Sequence, residues 1–399
     1  MTDEALRRID VLIQVGMRLA RSATSGRVLL ARIAETIDPA WMASPWGDPI
    51  EAELRSARAS ACQPVAMRQI ERALRDAWGH PATEELDALD PEPVAVTPLA
   101  QVHRGVLDGA PVAVKVLRPG LAATVRQDLA LVDGLRRPLA AAFPGLDAPA
   151  VLHEFRERAL EELDLEHAAS VQRGFHRALR RHPVLTVPAP HTGLCRQGVL
   201  VSDWIDGVPL HRAADPDGAA AMLLVFVLGS ARTGTMYAGP DPDDVLVLAD
   251  GRVAILGFGA SRTIAPDRLA AATAALHGFA AGDPAALGSA LERLGWLPSL
   301  HAPTALALTQ QTLSALGEAA PARLDGEAIV EARTRLLDQP GPLSALILAG
   351  AVADADLWPA LAVIRLFASI ARVGATGPWR ELARAALADG WEAAVPGHA

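Results

Sequence analysis

Aromatic residues are scarce in this chain. Phe, Trp and Tyr make up 4% of the 399 residues, with a single Tyr, although 51% of the chain is apolar. Alanine and leucine carry the apolar total, which favours close-packed helices over a β-sandwich. Cysteine is almost absent. Cys62 and Cys195 lie far apart and outside metal-ligand spacing, which excludes a disulfide framework and reads as a reduced cytosolic chain. Positive charge is in deficit, with 37 Lys and Arg against 46 Asp and Glu, a net charge of -9 and a pI near 5.7. Such a balance argues against a broad nucleic-acid surface. No apolar run approaches the roughly 18–20 residues needed to span a bilayer. The longest, Ala219–Gly229 and Leu343–Val352, read as buried helices. The amino end, MTDEALRRID, has no charged segment followed by an apolar core, so no secretory signal is expected. The expected compartment is the cytoplasm, without nucleic acid or a transmembrane segment, and peripheral membrane contact stays open. His residues occur singly, without zinc spacing. No nucleophile-elbow pattern supports a Ser-His-Asp triad.

What is present is core for two or three domains. Amphipathic spacing predicts a helix over Glu4–Ala23 and a second after Gly26, through Val28, Leu29, Leu30, Ile33 and Ile37. Pro39–Gln63 reads as irregular cover, and Pro64–Trp78 as a helix opening on proline. Two strand-like runs, Ala100–Val106 and Pro111–Leu117, flank Asp108-Gly109, a hairpin signal. Helical spacing returns over Ala122–Ala142 and Ala150–Arg181. Val184–Pro190 and Gly198–Gly207 read as strand, turn, strand, and a further hairpin joins Val245–Leu248 to Val253–Leu256. Pro266–Pro298 reads as two helices split by Gly282-Asp283-Pro284. Five more are expected at Thr304–Leu316, Gly326–Leu337, Leu343–Ala351, Trp358–Val373 and Trp379–Trp391. The residues alone give α+β with a helical majority.

Two stretches carry chemistry. Val112-Ala113-Val114-Lys115 places a lysine at the end of an alternating strand, the position that contacts nucleotide phosphates in kinases. Gln101-Val102-His103-Arg104 precedes it and Arg118-Pro119-Gly120-Leu121 follows. Downstream, Tyr237-Ala238-Gly239-Pro240-Asp241-Pro242-Asp243-Asp244 stands before the second hairpin and Gly257-Phe258-Gly259 after it. Over roughly Pro93–Pro298 the combination resembles the UbiB/AarF atypical kinases, associated with coenzyme Q and isoprenoid lipid metabolism.

The resemblance implies a two-lobed protein-kinase-like fold: a helical amino-terminal extension and linker over 1–92, a small lobe with inserted helices over 93–206, and a mostly helical large lobe over 207–399. The family's catalytic loop reads His-Ala-Asp-Pro-His-Pro-Gly-Asn, and only Ala238, Pro240 and Pro242 coincide with it. Gly239 stands at the catalytic aspartate, Gly257 at the aspartate of Asp-Phe-Gly, and Asp244 at the asparagine. A positioned base is worth about 10²–10⁴-fold, and bridging magnesium adds several kcal/mol, so ordinary phosphoryl transfer is not expected. The family's Lys-x-Gly-Gln motif is reduced to Gly16 in Gln14-Val15-Gly16-Met17. Its alanine-rich loop aligns with Ala95–His103, where Pro98 deletes an N–H and Ala100 replaces a glycine.

Ligand-binding positions implied by the resemblance are Lys115, Ala100, Gln101, the Asp203 carbonyl and the Ile205 N–H. A lysine in an apolar cleft requires an anion, and Glu162, then Asp164, are its expected acidic partners. The implied cofactor is ATP or ADP, and Asp244 is the remaining candidate metal ligand, Mg²⁺ being disfavoured. The expected function is a degenerate pseudokinase that binds a nucleotide, a lipophilic metabolite or a partner enzyme. Two alternatives stay open: a residual ATPase or kinase that recruits Asp241, Asp243 or Asp244 for metal, and a repurposed cleft running a small-molecule reaction without ATP.

Overall fold

A computed structural model describes residues 4–22, 28, 56, 59–312 and 320–393. The small lobe is built on the Asp108-Gly109 turn. Both residues have positive φ, 50° and 77°, the requirement of a two-residue hairpin turn of the primed type. The turn joins the antiparallel strands Ala100–Leu107 and Ala110–Leu117 in a register that sets Val102 opposite Lys115. Val199–Asp203 pairs with the second strand, and Ala88–Leu89 and Ala95–Val96 pair with the first.

Alternation gives this sheet two distinct faces. Val112, Val114, Val116, Val199 and Val201 are buried against Ile70, Leu74 and Trp78 of the helix Met67–Trp78. Ala113, Lys115, Leu117, Leu200 and Ser202 face a cleft. The helix starts at Met67, with Ala66 still extended at ψ 141°, so Pro64 precedes it instead of opening it. It and the strand Ala88–Leu89 lie ahead of the expected boundary at residue 93, yet both belong to this sheet's packing.

Both long helices expected next are broken. Ala122–Ala142 becomes Leu121–Val132, a 3₁₀ turn at Asp133–Leu135, and Arg136–Ala142. Pro138 cannot donate back to Gly134, which forces the helix to restart. Ala150–Arg181 becomes Ala148–Glu161 and Leu165–Leu179, each with an aspartate at its N-cap: Asp147 accepts from Ala150 N at 3.1 Å and Asp164 from His167 N at 2.9 Å.

The large lobe is organised around Pro216–Ser230, in which Ala219 through Ser230 are all buried. Its Phe226 meets Phe175, Tyr237, Phe258 and Trp391 with ring centroids 5.1–6.5 Å apart, an aromatic cluster at the centre of the lobe. The helices Asp354–Val373 and Trp379–Asp389 cover it. A second sheet orders Leu185–Thr186, Val253–Ile255, Val245–Val247 and Val208–Pro209, the first pair parallel and the others antiparallel.

Pro266–Ala281 and Pro284–Leu294 are split as expected, with Asp283 accepting from Ala285 N and Ala286 N at 2.9 and 3.1 Å. The later helices are Ala302–Thr312, Gly326–Leu337, Pro340–Ala349, Asp354–Val373 and Trp379–Asp389. The first helix runs Glu4–Ser22, where Gly16 lies 3.9 Å from Leu135 Cδ2 by its would-be Cβ, an ordinary packing distance. Except for Val28, which packs with Leu121, Val125, Leu129 and Leu163, the expected second helix lies outside the described residues, as does most of Pro39–Gln63. Among the described residues, no helix is long and apolar enough to cross a membrane.

Candidate active-site cleft

The open face of the small-lobe sheet and the segment Gly239–Ala260 enclose a cleft of about 1400 Å³, its mouth included. Apolar side chains dominate its upper wall: Val96, Leu99, Val102, Leu117, Leu165 and Leu200. Lys115 is half-buried in that wall, between Val102 and Leu200 on the flanking strands. Among the described residues no carboxylate pairs with it. Glu162 lines the same cleft, just past the helix Ala148–Glu161. Asp164 does not line it, because its carboxylate caps the next helix.

Gln101 is on the other face of the sheet. It is fully buried, accepts from Val65 N and contacts His103 Nε2 at 3.2 Å. The register makes this unavoidable, since only residues opposite or two removed from Lys115 share its face. Ala100 is fully buried and does not line the cleft. Ser202 lines the cleft where Asp203 was expected. Asp203 is exposed, holds His191 at 2.9 Å, and neither it nor Ile205 lines the wall.

The turn Thr97–Ala100 consumes its own donors. Thr97 N donates to Ala100 O at 2.8 Å, Pro98 has no N–H, and the amides of Leu99 and Ala100 donate to Thr97 Oγ1 at 3.3 and 3.0 Å. A phosphate cradle needs such amides free and converging. Here a threonine hydroxyl occupies them.

On the opposite wall the floor is held from several sides. Tyr237, fully buried, donates its N–H to Ser230 Oγ at 2.8 Å, and its single hydroxyl proton is shared between Leu256 O at 2.7 Å and Gly239 O at 3.0 Å. Burial pushes this phenol well above its ordinary pKa, and Asp244 pushes further in the same direction. The helix Asp354–Val373 clamps the loop: Arg365 Nη1 reaches Ala238 O at 3.4 Å, Ser369 Oγ donates to Pro240 O at 3.1 Å, and Arg372 meets Asp241 at 3.5 Å. Asp241 also caps Asp243 N at 2.9 Å, and Asp243 pairs with His211 at 2.9 Å.

Gly239 and Gly257 are neighbours across this floor. A Cβ on Gly239 would come to 3.3 Å from Gly257 O. Gly257 is left-handed, with φ 75°, and a Cβ there would overlap Asp244 Oδ2 and lie 2.8 Å from its Cγ. The Asp244 carboxylate therefore fills the space beside Gly257 into which a side chain at 257 would project.

Residues 58–290 match the family model of the ABC1 atypical kinase-like domain, more than half of the chain. The chain belongs to the ABC1 atypical kinase-like family. Its curated relatives include the uncharacterized protein sll0005 of Synechocystis sp., 33% identical over 213 residues that cover 51% of this chain and 31% of that protein. Protein ACTIVITY OF BC1 COMPLEX KINASE 1 of Arabidopsis thaliana is 30% identical, covering 49% and 30%. A probable protein kinase UbiB of Marinobacter nauticus is 27% identical, covering 59% and 46%. The chain thus spans about a third to a half of the length of the curated relatives it matches. The structure of Rv3197 from Mycobacterium tuberculosis in complex with erythromycin superposes with a TM-score of 0.61 at 22% identity, covering 90% of both chains, and shares the fold.

An ABC1-type kinase domain implies magnesium, and the residues here do not fit it. Octahedral magnesium is bound through one or two carboxylates plus phosphate oxygens. Asp241 and Asp243 are engaged by Arg372 and His211, Asp244 lines the floor but residue 257 offers no second carboxylate beside it, and among the described residues no three His, Cys, Asp or Glu converge on a metal position. Arg365, 6% exposed, lines the same floor.

Sequence reasoning missed Arg365, Ser369 and Arg372, which lie beyond any motif. A signal existed: Arg365 interrupts the apolar run Leu361–Ile370. It also missed Gln172, buried on the cleft, whose Nε2 donates to Pro188 O at 2.9 Å.

Proposed function

We propose that the chain is a catalytically degenerate ABC1-type pseudokinase that acts by holding a ligand in the cleft beside Lys115. The observation that carries this reading is the adjacency of Gly239 and Gly257, two facing positions that themselves contribute no carboxylate to accept a proton or hold a metal and leave Asp244 beside them. The self-satisfied Thr97–Ala100 turn removes a third requirement, backbone donors for a polyphosphate. Ligand chemistry follows from the walls: a lipophilic body against Val96, Leu99, Val102 and Leu200, with an anionic group at Lys115. The Rv3197 complex with erythromycin is a precedent for a bulky organic ligand on this fold. ATP or ADP remains within this reading as a metal-independent ligand, and a partner enzyme would engage the same module from outside.

Thermal-shift titration with ATP, with and without Mg²⁺ or Mn²⁺, tests it together with a labelled-ATP transfer assay. The expected result is no phosphoryl transfer, and any nucleotide shift independent of metal and abolished by Lys115→Ala. Metal-dependent transfer lost in Asp244→Ala would overturn the reading in favour of a residual kinase.

A further inference from the structure

We propose that Arg365 replaces the divalent cation of this fold: a guanidinium delivered by the helix Asp354–Val373 supplies the positive charge of the cleft floor and bars metal from it. This rests on the reading that the cleft binds without phosphorylating. The argument is electrostatic and geometric. A kinase floor carries acidic side chains because a metal neutralises them. Here Asp241, Asp243 and Asp244 stand where the family's loop has histidine, glycine and asparagine, although positions 239 and 257 have lost their acids. Asp243 is exposed, but Asp241 and Asp244 are partly desolvated and require compensating charge.

The large lobe provides it from one side. Arg372 meets Asp241, and Arg365 enters at Ala238, lining the same floor as Gly239, Asp244 and Gly257. The Tyr237 hydroxyl marks how close these groups are. It bonds the carbonyls of Gly239 and Leu256, and its phenol is raised by Asp244 and lowered by Arg365. Arginine suits the task because it stays charged when buried and spreads that charge over a planar fork. Arg365 also lies beyond residue 290, where the family match ends.

The consequence is a site that resists metals. Even at the dielectric of bulk water, a unit charge about 6 Å from a divalent ion weakens its binding about tenfold. Mn²⁺ titration of the full-length protein by calorimetry, with circular dichroism to verify folding, tests this. Arg365→Met is expected to bind Mn²⁺ at least about tenfold more tightly than wild type. That gain should vanish in Arg365→Met/Asp244→Asn, and Arg365→Lys should behave as wild type. A folded Arg365→Met with unchanged Mn²⁺ affinity overturns the proposal. If that variant does not fold, wild-type Mn²⁺ binding that Asp244→Asn abolishes overturns it equally. None of these outcomes depends on phosphoryl transfer, whose detection would instead sink the pseudokinase reading.

Discussion

Adding a single methyl group at Gly257 reads out where the Asp244 carboxylate lies. Two costs separate. Gly257 has φ 75°, and a left-handed backbone costs a non-glycine residue about 1–2 kcal/mol. The second cost is steric, because the new Cβ overlaps Asp244 Oδ2 and approaches Cγ to 2.8 Å, so the carboxylate must leave its position. The three nearest atoms all belong to that carboxyl group, the third at 3.4 Å, so truncating Asp244 clears the space. Gly257→Ala should therefore cost about 2–4 kcal/mol in wild type, but only about 1–2 kcal/mol in Asp244→Ala, the backbone term alone. Equilibrium urea unfolding of wild type, both single variants and the double variant gives the cycle. Additivity to within about 0.5 kcal/mol would refute the placement of Asp244 against Gly257.

Other outcomes follow from the same contacts. Lys115→Ala should abolish any ligand-induced thermal shift while leaving the melting of the free protein nearly unchanged, since no carboxylate among the described residues loses a partner. Burial holds the Tyr237 phenol above the ordinary value of about 10, so the folded state keeps a proton the unfolded chain releases. Its stabilisation is complete below about pH 10 and declines as pH rises toward the folded-state value, by up to about 1.4 kcal/mol per pH unit. As the sole tyrosine, it can be followed by its own ultraviolet titration, and Tyr237→Phe should flatten the alkaline loss of stability. A separate ion pair joins Arg268 to the buried Asp356, so Arg268→Ala should cost about 3 kcal/mol in urea unfolding, because it strands that carboxylate with Trp296 Nε1 as its remaining donor at 2.7 Å.

The legible parts of the fold are those specified by local chemistry. Asp108-Gly109 announces its turn because few other pairs accept positive φ twice. Asp283-Pro284 marks a helix start, and the apolar run Ala219–Gly229 can only be buried. Even the position of Gln101 was available: a two-residue turn at Asp108-Gly109 fixes Val102 opposite Lys115, which sends Gln101 to the far face. Family resemblance hid that arithmetic. The breaks at Gly134 and at Asp164 were masked by continuous helical spacing on both sides, where one proline or one cap outweighs the pattern. The Asp354–Val373 clamp was invisible for a different reason: its contacts with Ala238, Pro240 and Asp241 span about 130 residues of sequence, and no local signal encodes them.

The helix Pro216–Ser230 is buried on every side, yet its cover comes last: Asp354–Val373 and Trp379–Asp389 are made well after it. At a ribosomal pace of about 5–20 residues per second, the interval is on the order of 10–30 s. Throughout it the nascent polypeptide carries a greasy rod with one flank bare. Its biogenesis should therefore lean on chaperones, and cutting the gene at the family boundary near residue 290 should yield an insoluble product.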